Sequence, residues 1–154
     1  MRAAWLVVAA CVCLSVCPGA QTLGSLVQDG TSFEAAMLRT GDAWEIVSRA
    51  VEGPSYLLNS VRGDGLTRLD LVRENLAGIR AFLLGRERHE AARLVDEALA
   101  AVADLRLEFA MAVPDQAAAS GLSAEVTSAC VACHARYRDG NAVQGFRPRP
   151  GLLD

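Results

Sequence analysis

The chain has 154 residues, 52% of them apolar, and its 15 basic side chains against 18 acidic ones leave a formal charge of −3. That length fits one small domain. A mildly acidic balance, with no basic patch interleaved with aromatics, argues against nucleic acid as a partner.

Residues 1–20 read as a secretory signal peptide, followed by a domain over 21–154. Met1-Arg2 is the basic start, Trp5 to Val16 is almost wholly apolar, and Cys17-Pro18-Gly19-Ala20 supplies small residues around a proline. The apolar run is short for a bilayer span. Cleavage is expected near Gly19 or Ala20. Lipoprotein processing at Cys17 is disfavoured by Val16 before it, and an uncleaved anchor is the other alternative. The expected compartment is the periplasm. Cys11, Cys13 and Cys17 then leave with the leader, and Cys130 and Cys133 remain as a pair too few for a disulfide framework.

The periodicity beyond the leader is helical. A first helix is expected from about Thr31, where Thr31 and Glu34 have capping-box spacing, through Phe33, Met37, Trp44, Val47 and Val51 to a stop at Gly53-Pro54. Ser55 to Gly65 reads as a looser segment ending in the turn-like Gly63-Asp64-Gly65. A second helix, from about Thr67 to Leu84, carries Leu69, Val72, Leu76, Ile79 and Leu83 at three- and four-residue steps. Gly85 breaks it. A third, from about Glu87 to Ala112, repeats the stripe with Leu94, Ala98, Val102, Leu105 and Phe109 before Pro114. A fourth, from about Ser123 to Arg138, sets Val126, Ala129, Cys133 and Tyr137 on one side and is expected to end at Gly140. Phe146-Arg147-Pro148-Arg149-Pro150 is left as a tail. The expected fold is all-α, an antiparallel four-helix bundle.

The chemistry concentrates in Cys130-Val131-Ala132-Cys133-His134. Two thiols one helical turn apart share a face, and the imidazole follows directly. In a C-x-x-C-H segment the thiols add to the vinyl groups of haem and the histidine ligates its iron, so one covalent haem c is the expected cofactor. A redox-active pair or half of a zinc site are the alternatives. Zinc needs two more ligands, with only His89 and acidic side chains on offer. A thioredoxin-like pair needs strands alternating with helices, which are not evident.

With Ala135, Arg136, Tyr137 and Arg138 following it, on the last of four amphipathic helices, this segment resembles the cytochrome c-prime family and its c-556 relatives. The resemblance spans the architecture of the mature chain, and its specific residues lie in the last helix. It implies haem attached to the C-terminal helix, inside the bundle near one end. It also implies that the sixth iron position faces the first helix, where Met37 stands at the place of the c-556 methionine. A thioether there raises the reduction potential. The competing assignment for Met37 is core filler, and Met111 matches no ligand position. By resemblance Arg138 flanks the proximal side of His134; the plainer assignment is a cation at a helix C-terminus. Phe33 departs from the family, which commonly carries a basic residue there near a haem propionate. Arg39, Arg147 and Arg149 are then the candidates for that contact. Tyr137 is assigned to packing and His89 to solvent.

The expected function is a monohaem electron carrier with His134/Met37 iron, docking transiently on redox partner proteins. The alternative is a five-coordinate cytochrome c-prime that binds nitric oxide or carbon monoxide. No nucleophile–base pair or paired carboxylates point to an enzyme. Family members often dimerise through the first two helices, which makes Trp44 and Tyr56 candidate contacts of a homodimer.

Overall fold

The computed structural model describes residues 27–141 and 145–153; the leader expected at 1–20 lies outside the described residues. The first helix, α1, spans Gly30–Glu52. Its cap is Asp29 rather than Thr31: Asp29 Oδ1 accepts from the Ser32 amide at 2.7 Å, and Ser32 Oγ accepts from the Asp29 amide at 2.9 Å. Both partners have short side chains that reach the frayed amides, so the box closes upstream of Thr31 and Glu34. The helix stops at Gly53-Pro54 as expected, because proline disfavours helical backbone in the residue before it.

The segment expected to be loose is a single 3-10 turn, Pro54–Leu57, followed at once by α2 over Asn59–Gly85. Gly63-Asp64-Gly65 is therefore helix, not turn. Gly65 is there for packing: a Cβ would fall 2.2 Å from Cε1 of Phe109. The ring of Phe109 in turn packs edge-on against Tyr56, with centroids 5.1 Å apart. Tyr56 is wholly buried, which removes it as a dimer contact.

Helix α2 ends in a Schellman closure, with Arg88 N–H donating to Leu83 O and Glu87 N–H to Leu84 O. The left-handed residue of that closure is Glu87, at φ 59, and not the expected breaker Gly85. Helix α3 spans His89–Ala110 and has already ended before Pro114. Helix α4 spans Gln116–Tyr137, beginning well before Ser123. Asp115 caps it, accepting from the amides of Ala117 and Ala118 at 2.9 and 3.1 Å. The aspartate cap and the three alanines Ala117 to Ala119 favour helix from this earlier start.

The end of the chain also differs from expectation. Arg138–Asn141 and Gly145–Pro148 form strands β1 and β2, an antiparallel hairpin in which Arg138 faces Pro148. Gly140 thus lies in a strand, at φ 95, and the helix ends at Tyr137. The tail beyond is docked: Arg149 N–H donates to Tyr137 O, Arg86 Nε donates to Leu153 O at 3.0 Å, and Leu152 is buried.

The four helices pack in chain order. Arg80 pairs with Asp96 and Arg106 with Asp70, so α2 and α3 run antiparallel. Phe33 stacks near Phe82, Arg136 pairs with Glu90, and Gln116 Nε2 donates to the carbonyls of Val51 and Gly53. Each stripe residue expected on α2 and α3 is buried. Among the described residues no helix is long and apolar enough to cross a membrane. Helices α1 and α4 meet sparsely, and the seam between them is where the core opens.

Hydrogen bonding from Arg106 holds the Asp70 carboxyl below the usual carboxylate range. A depressed folded-state pKa contributes stability above the unfolded value and loses it as pH falls through the folded value. Replacing Asp70 with asparagine is therefore expected to lower the urea midpoint at neutral pH and leave it nearly unchanged in strong acid. Equal losses at both pH values would show that the pair acts by packing alone.

Candidate functional site

Along the last turns of α4, Ala129, Cys130, Cys133, His134 and Tyr137 recur at three- and four-residue steps and form one face. In a closed bundle this face would be core. Here its residues are only half-buried, because they border a cavity of about 250 Å³ in the α1–α4 seam. Phe33, Met37 and Trp44 of α1 supply a second wall. Leu76, Ile79 and Leu83 of α2 and Leu94, Val95 and Ala98 of α3 close the depth, while Pro148 and Leu152 of the tail complete the rim.

The cavity collects Cys130, Cys133, His134, Arg138 and Met37, the residues singled out from the sequence. They come from α4, β1 and α1, and Met37 and His134 are nearly a hundred residues apart in the chain. His89 does not join them: it is exposed at the first position of α3. Met111 is exposed too, just past the end of α3. Of the cations offered for a propionate, neither Arg39, Arg147 nor Arg149 lines the cavity, and Arg149 Nε donates instead to Asp139 at 2.7 Å. Arg138 is the guanidinium on the wall. Trp44 also borders the cavity, and Tyr137 combines packing with a hydrogen bond from its hydroxyl to Glu90 at 3.3 Å.

Burial governs the protonation of these groups. It pushes the Cys130 thiol up, and it pushes Cys133 up to about 11 with a smaller contribution from the charge of Cys130. Burial first and the Arg138 guanidinium second pull the His134 imidazole down. At neutral pH the site therefore holds two free S–H groups and a neutral imidazole, with a thioether on the adjoining helix. A neutral imidazole keeps the lone pair that a metal needs.

This donor set fits a covalently held haem. The cysteines are free, as addition to a vinyl group requires, one nitrogen and one thioether sulfur are on hand for iron, and the walls are apolar. Zinc would need a fourth ligand beside Cys130, Cys133 and His134, and among the described residues no group of three or more His, Cys, Asp or Glu is arranged to hold a metal ion.

Pro148, Leu152 and Leu94 escaped assignment from the sequence. Leu94 was legible as stripe, but nothing marks a stripe residue as bordering a cavity. The tail residues follow no period at all, and only the hairpin carries them to the rim. No protein-family model, curated protein or solved structure matches this chain.

Proposed function

We propose that the chain is an exported, periplasmic monohaem c-type cytochrome that carries electrons, in which Cys130 and Cys133 would anchor the haem through thioethers and His134 and Met37 would ligate its iron. The supporting observation is the convergence of those four side chains, from opposite ends of the chain, on one apolar cavity. Bound there, haem c supplies a one-electron couple between ferric and ferrous iron.

The residues set the direction of that couple. Met37 offers a soft sulfur, which favours the ferrous state. The apolar walls and Arg138 both disfavour an added positive charge beside His134, so they act in the same sense. Together they favour a high reduction potential.

The second reading, a five-coordinate protein that takes up nitric oxide or carbon monoxide, needs Met37 to remain packing. Its support is that Met37 also lies against the hydrophobic core. Visible spectra of the haem-matured protein separate the two. The carrier should be low-spin in both oxidation states and take up carbon monoxide poorly. A high-spin ferrous spectrum with rapid carbon monoxide uptake would sink it in favour of gas binding. A denatured chain that shows no covalent haem stain would overturn both.

A further inference from the structure

A second depression, of about 480 Å³, opens on the outer side of α4. It is lined by Arg93 and Leu94 of α3, Ala132, Ala135 and Arg136 of α4, and Arg149 of the tail. Its position is specific. Ala132 lies between the two cysteines, Ala135 follows His134, and Leu94 borders both this depression and the cavity behind it. Leu94 is therefore common to the two linings.

The charge is specific as well. In a chain of net negative charge, three guanidiniums from three different elements face one shallow hollow. Each is tied to a carboxylate, Arg93 to Glu97, Arg136 to Glu90 and Arg149 to Asp139, yet none of those carboxylates lines the hollow. All three pairs are about half-exposed, and exposed pairs of this kind contribute little and exchange readily. A guanidinium has five N–H donors, so one internal partner, or two for Arg149, which also donates to the Ala135 carbonyl, leaves others for a visitor. The side chains of Ala132 and Ala135 are too short to keep a flat surface from the guanidiniums. A small anion such as phosphate calls for donors aimed at one point, whereas these guanidiniums come from three separate elements, each turned to a different carboxylate. Three cations beside the apolar Leu94, Ala132 and Ala135 match the mixed charged and apolar surface of a protein interface.

We infer that this hollow is the docking surface for an acidic face of a redox partner protein, whose carboxylates engage Arg93, Arg136 and Arg149, with Leu94 bordering both the hollow and the cavity. This rests on the electron-carrier reading.

The test uses the full-length, haem-loaded ferrous protein, isotopically labelled, at low ionic strength. A hexaglutamate peptide is expected to shift the amides of Ala132, Ala135 and Arg136 saturably. The combined variant Arg93→Glu, Arg136→Glu and Arg149→Glu should abolish those shifts. The same variant should slow oxidation by anionic hexacyanoferrate(III) about tenfold and speed oxidation by cationic tris(phenanthroline)cobalt(III). If charge reversal prevents folding, the triple glutamine variant replaces it, with the same directions expected. Shifts scattered over the surface, equal shifts from inorganic phosphate, or the same slowing with both oxidants would overturn the docking face. A haem-loaded chain with such a result leaves the carrier reading standing, while a chain without covalent haem removes both.

Discussion

Replacing Met37 with alanine in the haem-matured protein is expected to convert a low-spin spectrum to a high-spin one and to strengthen carbon monoxide binding at least about tenfold, or about 1.4 kcal/mol. The reduction potential should fall together with it, because the soft axial sulfur is gone. Alanine also empties part of the cavity wall, so a second substitution separates ligation from packing. Leucine keeps the volume and loses the sulfur, and a swap of that kind typically costs less than about 1.5 kcal/mol. Met37→Leu should therefore reproduce the spectral change with little loss of stability. A Met37→Leu protein with the native spectrum would show that Met37 is wall and not ligand, and would move the protein to the gas-binding reading.

The second large effect concerns the far end of the bundle. Gly65→Ala places a methyl group where the Phe109 ring already stands, 2.2 Å from Cε1 and 2.7 Å from Cδ1. Helix propensity by itself favours alanine over glycine by about 1 kcal/mol. Forcing a methyl into a packed core costs roughly 1–3 kcal/mol, and Phe109 cannot simply turn away because it is buried against Tyr56. The clash should win, and Gly65→Ala should lower the unfolding free energy despite its better propensity. Phe109→Ala should cost more, about 3–5 kcal/mol, by leaving a cavity. In the double variant the new methyl partly fills that cavity, so the combined loss should be less than the sum of the singles. Strict additivity in urea unfolding would show that the two positions do not touch.

Asp29, Gly65 and the tail show where local reading ended. The stripes of α2 and α3 were legible because each buried face repeats with the helical period, and all of those residues are buried. The start of α1 is ambiguous in the sequence, since Thr31-Glu34 and Asp29-Ser32 have the same spacing with the hydroxyl and carboxylate exchanged; in the box that forms, Asp29 caps and the Ser32 hydroxyl reaches back. Gly63-Asp64-Gly65 has turn composition, and only the ring of Phe109 on another helix makes glycine necessary inside α2. The hairpin was missed because its strands are four residues each and carry no alternating pattern.

The sequence by itself determined the four helices, the stripes that assemble them and the pairing of two thiols with an imidazole on one turn, all properties of spacing within a single element. The cavity beside that turn was decided only by the tertiary structure. It exists because α1 and α4 meet sparsely, and it is there that Met37 comes to line the same cavity as His134 and that Pro148 and Leu152 reach the rim. Separations of this kind depend on how helices are set against one another, and no periodicity within one helix encodes the gap to the next.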